Sequence, residues 1–231
     1  MFRSSGYVFI GLLGLTLLAF WNTYVAIFPG NFDPYTHIHA ALMLAWFALL
    51  IAQPFLIRGD HRGIHRALGK LSYGLVPAIV IATALLAHQR IASVPDEALD
   101  ETAKFFFLPP GMMALFVFAY GLAIIHRKTA ALHARYMMCT FLAAVDPVFG
   151  RLVAFYGPPL PDDRYAQLVS YLVCVGALGA LIIRERHQRA GRTAFPTMLV
   201  ATTIVFGLFF TWAHTGSWVD LTRWYRGLPI T

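Results

Sequence analysis

The stretch "THIHAALMLAWFALLIAQPFLIRGDHRGIHRALGK", residues 36–70, contains a long apolar run between two pairs of histidines. His37 and His39 lie at the start of the run, and His61 and His65 lie just beyond its end. A helix of about 20 residues, rising about 1.5 Å per residue, crosses a hydrocarbon core about 30 Å thick. The run therefore predicts a membrane-spanning helix with the two histidine pairs on opposite sides of a bilayer.

The composition of the whole chain favours the same class of protein. Of the 231 residues, 58% are hydrophobic and only 13% are charged, and the mean hydropathy is +0.64. A soluble domain of this size would need a more strongly charged surface. We therefore expect one all-α domain over residues 1–231, a polytopic bundle of seven transmembrane helices. The apolar blocks that predict them are residues 7–28, 37–57, 67–89, 105–126, 132–156, 165–184 and 197–216.

The charges of the loops alternate along the chain and predict its orientation. The loops after the second, fourth and sixth blocks are rich in lysine and arginine, whereas the other loops hold mainly acidic residues. Because positive loops stay in the cytoplasm, we expect the N-terminus inside and the C-terminus outside a bacterial inner membrane. The net charge of +7 then indicates topology and attraction to membrane lipids, not binding to nucleic acid.

Several kinds of chemistry have no support in the sequence. The two cysteines, Cys139 and Cys174, both lie inside apolar blocks and form no CxxC motif, which indicates buried thiols. The chain also lacks a Walker loop and the GxGxxG, GxSxG and HExxH motifs. Soluble nucleotide chemistry and serine-hydrolase chemistry are therefore not expected.

Two of the positive loops contain a similar arrangement of histidine and arginine. They read "HRGIHRALGKLSY" at residues 61–73 and "HRKTAALHARYMM" at residues 126–138. His65 and His133 thus open the third and fifth spans in the same leaflet, as ligation of haem b by two histidines requires. Arg66 and Arg135 would then pair with the haem propionates. The alternative is that these side chains only anchor helix ends and set the topology.

The opening stretch also resembles a known family. His39, followed by "LM" at residues 42–43, and then "HRALG" at residues 65–69, is similar to the transmembrane cytochromes of the b-561 class. These have four to six helices and two b-type haems that move electrons across a membrane. The resemblance covers about residues 39–70 and implies that His39 and His65 bind different haems, with His133 as the partner of His65.

The chain departs from that family in the fourth span. The family places the second ligand of the outer haem there, but the outer half of this span offers only Met112 and Met113. His88 or His214 would have to substitute, or the outer haem is absent. As a whole, the chain is similar to bacterial multi-pass proteins with HRxLG and DP segments, to which no activity is assigned.

A second group of polar residues is predicted in the outer half of the membrane. Asp146 lies deep in the fifth span, and acids at such a depth usually face the protein interior and mark a pathway or a site. Arg151 follows five residues later, and Pro147 is expected to kink the helix between them. Asp146 and Arg151 are therefore candidate catalytic residues, unless they form a purely structural pair. With His39, His88 and His214 as ligands, the same pocket would hold a divalent transition metal.

Three functions remain open on this evidence. The first is a b-type haem protein in electron transfer or quinone-linked redox chemistry, with a redox partner. The second is a membrane-embedded metal-dependent enzyme that acts on a lipid or quinone. The third is a cofactor-free proton-coupled transporter, or an assembly or accessory subunit.

Overall fold

The computed structural model describes residues 5–159, 162 and 164–231, and this part of the chain forms helices and no strands. The α-helices are α1 (Ser5–Ala19), α2 (Pro34–Arg58), α3 (Arg62–Ala92), α4 (Leu99–Phe106), α5 (Leu108–Ile125), α6 (Ala130–Cys139), α7 (Leu142–Tyr156), α8 (Arg164–Glu185), α9 (Ala194–Phe210) and α10 (Gly216–Arg226). A π-helical turn covers Trp21–Val25, and short 3₁₀ helices cover Asp96–Ala98 and Trp212–His214. The predicted all-α class is confirmed.

Six helical segments of the described chain are long and apolar enough to cross a membrane. Most ends of these segments lie within a few residues of the ends of the second to seventh predicted blocks. The multi-pass membrane character of the protein is thereby confirmed. The six segments are Pro34–Arg58, Arg62–Ala92, Asp96–Ile125, Ala130–Tyr156, Arg164–Glu185 and Ala194–His214.

The first predicted block, residues 7–28, folds differently from a regular span. Helix α1 is apolar but only 15 residues long, and it ends at Ala19. In the π turn that follows, the amides of Val25 and Ala26 donate to the carbonyls of Phe20 and Trp21, five residues back. A seventh membrane span therefore stays a prediction.

Local sequence signals explain where α2 begins. Asp33 is the N-cap, and its carboxylate accepts hydrogen bonds from the Thr36 amide at 2.9 Å and the Thr36 hydroxyl at 2.8 Å. Pro34 occupies the first helical position, where its missing N–H leaves no bond unmade. The Asp33-Pro34 pair thus starts this helix in the way that its sequence predicts.

The chain divides into two compact units, residues 1–86 and 87–231, with the boundary inside α3. In the first unit, α1 packs on α2 through an edge-to-face contact of Tyr7 and Phe55, whose ring centroids are 5.0 Å apart. In the second unit, α5 packs against α6, α7 and α9, while α8 packs against α7 and α9, and α6 packs against α9. The core of the second unit is made of large side chains that are almost completely buried: Leu115, Leu178, Phe195, Met198, Phe206 and Phe209. The expectation of a single domain stays a prediction.

The predicted span at 132–156 is interrupted between α6 and α7. At the interruption the amides of Thr140 and Phe141 donate three residues back, to Met137 and Met138, so the helix tightens there. Pro147 lies inside α7 and cannot donate a backbone hydrogen bond to the preceding turn. The break at Thr140–Phe141 lies six residues before the proline and is a separate feature. The kink expected at Pro147 stays a prediction.

Helix α10 was not predicted, and it is bonded to α4. The Trp218 indole donates to the Ala103 carbonyl at 2.7 Å, and Arg223 pairs with Asp100 at 2.6 Å. The aromatic residues at the end of the chain thus include one buried anchor, Trp218, and one largely exposed side chain, Trp224.

Candidate functional site

A polar cluster lies between α7 and α8 in the second unit, and we call it the Asp146 cluster: Asp146, Arg151, Gln167 and Ser170. On α8, the spacing of Gln167, Ser170 and Cys174 places them on one helix face, because residues three and four apart are neighbours on a helix surface. A Cβ on Gly150, one turn after Asp146, would lie 3.9 Å from Gln167 Nε2. The polar faces of α7 and α8 therefore lie against each other.

Asp146 is the central group of this cluster. Its side chain is 6% exposed. It lies ten residues before the end of α7, which is a distance of about 15 Å along the helix axis. It lies beside Ser170 and interacts electrostatically with Arg151. Arg151 also donates from Nη1 to the Pro147 carbonyl at 2.9 Å.

The cluster contains hydrogen-bond acceptors that the described residues do not satisfy. Asp146 Oδ1 and Gln167 Oε1 are both buried and have no hydrogen-bond partner within the described chain. The Ser170 hydroxyl already donates to the Ala166 carbonyl at 3.1 Å. Because a buried unpaired acceptor costs about 1–3 kcal/mol, the cluster is suited to a proton or to a group that donates hydrogen bonds.

The three histidines predicted as metal ligands lie in separate surroundings. His88 bonds from Nδ1 to Thr231 Oγ1 at 2.7 Å, and its Nε2 is buried without a partner among the described residues. His214 packs against Phe209 and likewise has an unpartnered Nε2. His39 belongs to the first unit. Within residues 5–159, 162 and 164–231, no three His, Cys, Asp or Glu side chains come together as metal ligands. The metal site therefore stays a prediction without support.

The hydrogen bonds of His39 fix its tautomer. Its Nδ1 lies 3.1 Å from Thr83 Oγ1, and that hydroxyl donates its only proton to the Ile79 carbonyl at 2.8 Å. The imidazole must therefore donate from Nδ1, which leaves a lone pair on Nε2.

His133, the predicted haem ligand of the second unit, has the same tautomer. Its Nδ1 lies 2.9 Å from the Ala123 carbonyl, which can only accept, so Nδ1 carries the proton. Histidine ligands of metals are commonly held by such a bond to a carbonyl while Nε2 coordinates. His133 therefore fits haem ligation.

His65, the other predicted haem ligand, has the opposite tautomer. The amide of Gln53 is oriented by the backbone: its oxygen accepts from the Gly69 amide at 3.2 Å, and its nitrogen lies 3.3 Å from the His65 carbonyl. In this orientation the same nitrogen donates to His65 Nδ1. The imidazole proton then lies on Nε2, where it opposes coordination, so His65 does not fit the haem role in this arrangement.

The two arginines predicted to bind haem propionates also differ. Arg66 is exposed at the start of α3. Arg135 is 2% exposed and donates from Nε to Glu185 Oε2 at 2.6 Å, from Nη1 to the Ala131 carbonyl at 2.7 Å, and from Nη2 to Gln188 at 3.1 Å. All three nitrogens of Arg135 are therefore engaged, and we do not assign it to a propionate.

Sequence reasoning missed the partner of Arg135. Glu185 is 3% exposed, and it is the only acidic residue in the basic segment 184–192. An isolated acid between Arg184 and Arg186 was the available signal, because it opposes the charge pattern that sets topology.

Comparisons with protein-family models, with curated proteins and with solved structures return no match for this chain.

Proposed function

We propose that this chain is a cofactor-free proton-coupled transporter of a bacterial inner membrane, and that protons pass through the Asp146 cluster. The observation that carries the proposal is the unpartnered Oδ1 of Asp146, a buried carboxylate oxygen inside a membrane-spanning segment. Carboxylates at such a depth are costly, and they are characteristic of proton relays and substrate pathways.

The surroundings of Asp146 support this role in two ways. Gln167 Oε1 provides a second buried acceptor on the facing helix, so that a proton-bearing group would meet acceptors from α7 and α8. The span that carries Asp146 is also interrupted at Thr140–Phe141, and interrupted helices are a recurring feature of transporter sites. The proposed role of Arg151 is to offset the charge of the carboxylate when the proton is absent.

The test is proton flux through the purified protein in liposomes, because the proposed path through the Asp146 cluster conducts protons under a membrane potential without a co-transported solute. Vesicles that contain a pH-sensitive dye receive a membrane potential from a potassium gradient and valinomycin, and the internal pH is followed. We expect faster flux than in empty vesicles, and a loss of about tenfold or more in Asp146→Asn because the relay group no longer binds and releases a proton.

Asp220→Asn is the matched control, since Asp220 is an exposed acid of α10. Its flux should equal that of the wild type. Wild-type flux no faster than in empty vesicles, or unchanged flux in a correctly folded Asp146→Asn variant, would contradict the proposal.

The proposed topology has seven spans, with the N-terminus inside and the C-terminus outside. Helical hydrogen bonding continues from α1 through the amide of Phe20 to the π turn, so Ser5–Val25 extends about 30 Å, which is enough for a span. The alternating loop charges support the orientation. Alkaline phosphatase fused after Thr231 should be active, and green fluorescent protein fused at the same position should be dark. The reverse result contradicts this topology.

A second candidate function is haem-dependent electron transfer, which the tautomer of His133 favours. Haem b, when bound, would supply one-electron chemistry, and His133 Nε2 would hold it. His39 has the same tautomer in the first unit, whereas His65 does not. The predicted His65–His133 ligand pair therefore has only one member with a suitable ring.

An absorption spectrum separates this candidate from the transporter. Protein purified from cells with ample haem should show a Soret band and a reducible α band that disappear in His133→Ala. His187→Ala is the control, because His187 is exposed and accepts from Arg186. A colourless wild-type protein excludes the haem function and leaves the proton-flux proposal unaffected.

A further inference from the structure

A pocket of about 370 Å³ lies where α8 ends and α9 begins. Ile182, Phe195 and Pro196 form apolar parts of its wall, and Glu185, Arg186 and Arg192 provide charged groups. The pocket lies entirely within the second unit and is separate from the Asp146 cluster.

Glu185 gives this pocket an unsatisfied hydrogen-bond acceptor. Its Oε2 is bound to Arg135, but its Oε1 is buried and has no partner among the described residues. Since the side chain is 3% exposed, bulk water does not satisfy this oxygen. Because Glu185 lines the pocket, an ammonium group bound there would reach this oxygen after a small rotation of the side chain.

The two arginines give the pocket a positive rim. Arg192 is exposed and makes no hydrogen bond or ion pair to a described residue, whereas Arg186 is exposed and uses only its Nε, on His187. Guanidinium groups bind phosphate through paired, charge-assisted hydrogen bonds. The pocket therefore combines an acceptor for an ammonium group with donors for a phosphate group.

The position of the pocket indicates where such a ligand comes from. Glu185 is the last residue of one candidate membrane span, and Ala194 is the first residue of the next, so the pocket lies at the level of lipid head groups. Along α9, Thr197 lines the pocket, and Val200 and Ile204, three and seven residues later, are 59% and 56% exposed. This apolar stripe would lie beside acyl chains.

We infer that the α8–α9 pocket binds the head group of an amine-bearing phospholipid, phosphatidylethanolamine. Its phosphate contacts Arg192 and Arg186, and its primary ammonium donates to Glu185 Oε1. Glu185 supplies an acceptor and Arg186 and Arg192 supply cationic groups, so the pocket favours a head group that carries an ammonium beside its phosphate.

Lipid binding to the delipidated protein in detergent tests this inference. Native mass spectrometry compares three lipids with the same acyl chains: phosphatidylethanolamine, phosphatidylcholine and phosphatidylglycerol. We expect phosphatidylethanolamine to bind about tenfold more tightly than either of the others. Phosphatidylcholine has no N–H donor for Glu185, and phosphatidylglycerol has no amine.

Variants then locate the site. Arg192→Ala should weaken phosphatidylethanolamine binding about tenfold, whereas Arg189→Ala, an exposed arginine of the same loop outside the pocket wall, should leave it unchanged. Equal binding of the three lipids overturns the inference, and so does an equal loss in both variants. Soluble phosphoethanolamine that competes as strongly as the lipid would overturn the assignment to a membrane lipid. None of these outcomes depends on proton flux.

Discussion

Among its described residues, the second unit buries charged side chains at two places, at Arg135 and at Asp146. The two places differ in how completely these side chains are hydrogen-bonded. Arg135 is surrounded by acceptors: its three guanidinium nitrogens contact Glu185, the Ala131 carbonyl and Gln188 at 2.6 to 3.1 Å. Asp146 has Ser170 and the nearby charge of Arg151, yet its Oδ1 has no donor within the described chain. All three guanidinium nitrogens of Arg135 are therefore hydrogen-bonded, whereas one carboxylate oxygen of Asp146 has no donor within the described chain.

This difference separates the Arg135 guanidinium, for which we expect a structural role, from Asp146. Glu185 belongs to both categories, because its Oε2 is bound to Arg135 and its Oε1 has no partner within the described chain. A buried charge whose hydrogen bonds are complete holds helices together, and removal of one partner leaves the other uncompensated. A buried charge with an unmade bond lowers the stability of the fold, and such departures are expected at functional sites. The two sites should therefore respond differently to mutation.

The largest effect is expected for Glu185→Ala. The variant leaves the guanidinium of Arg135 buried without its counter-charge, which costs about 3–5 kcal/mol in comparable cases. Denaturant unfolding in detergent micelles, followed by far-UV circular dichroism, measures the free energy of unfolding.

The double variant Arg135→Met with Glu185→Leu is the control for this prediction. It removes both charges and replaces them with apolar groups of similar size, so most of the lost stability should return. Wild-type stability in Glu185→Ala would show that the ion pair is not a structural contact.

The next effect is expected for Gly191→Ala in the α8–α9 loop. Gly191 has a φ of +76°, and a Cβ there would lie 2.5 Å from Arg135 Nη1. Backbone strain alone costs about 1–3 kcal/mol, and displacement of the guanidinium adds to it. The melting temperature should therefore fall.

Gly176→Ala is the matched glycine, because a Cβ at that position of α8 meets nothing within 4 Å. This variant should be neutral or slightly more stable, since alanine favours the helix. If both glycine variants melt alike, the loop does not need the conformation that Gly191 provides.

A smaller effect is expected for Asp146→Ala. The variant removes a carboxylate whose Oδ1 has no donor, and Arg151 keeps its bond to the Pro147 carbonyl. The free energy of unfolding should therefore fall by less than about 1 kcal/mol, or rise. The same denaturant experiment measures the change. A loss as large as that of Glu185→Ala would make Asp146 a structural residue and remove the main support for the proton-relay proposal.

The smallest effect is expected at an exposed pair, Asp162 and Arg164. The Arg164 side chain donates to the Asp162 carboxylate at 2.9 and 2.7 Å, and its backbone amide does so at 2.8 Å. These bonds hold the pKa of Asp162 below its usual range. The stabilisation is therefore complete above the unfolded-state pKa of about 3.9 and is lost as the pH falls through the lower folded-state pKa.

Melting temperatures of the wild type and Asp162→Asn measure this contribution. The wild type should be slightly more stable at neutral pH, and the difference should vanish in acid below the folded-state pKa of Asp162. A difference that persists in strong acid would show that the asparagine acts through something other than the lost charge.

The sequence was sufficient for the helical class and for most of the membrane-spanning segments, because apolar run length is a local property. Capping at Asp33-Pro34 is also local, because an aspartate N-cap followed by a proline at the first helical position is itself a sequence signal for a helix start. The end of α1 at Ala19 was not predicted, since nothing in the apolar pattern of residues 7–28 distinguishes a π turn from a regular helix.

The chemistry of single side chains was harder to predict, because it depends on partners distant in sequence. His65 and His133 have similar sequence surroundings, yet Gln53 donates to one ring and the Ala123 carbonyl accepts from the other. Their opposite tautomers follow from those contacts alone. Arg135 was interpreted as a haem contact because its partner, Glu185, lies 50 residues later.

That distance of 50 residues also affects how the protein is made. During synthesis, α6 leaves the ribosome with the guanidinium of Arg135 before Glu185 has been translated. Until α8 is complete, the guanidinium lacks the carboxylate that pairs with it in the folded protein. Chains arrested before residue 185 should be degraded faster by membrane proteases than chains arrested after residue 192, although both stay in the bilayer through their earlier spans.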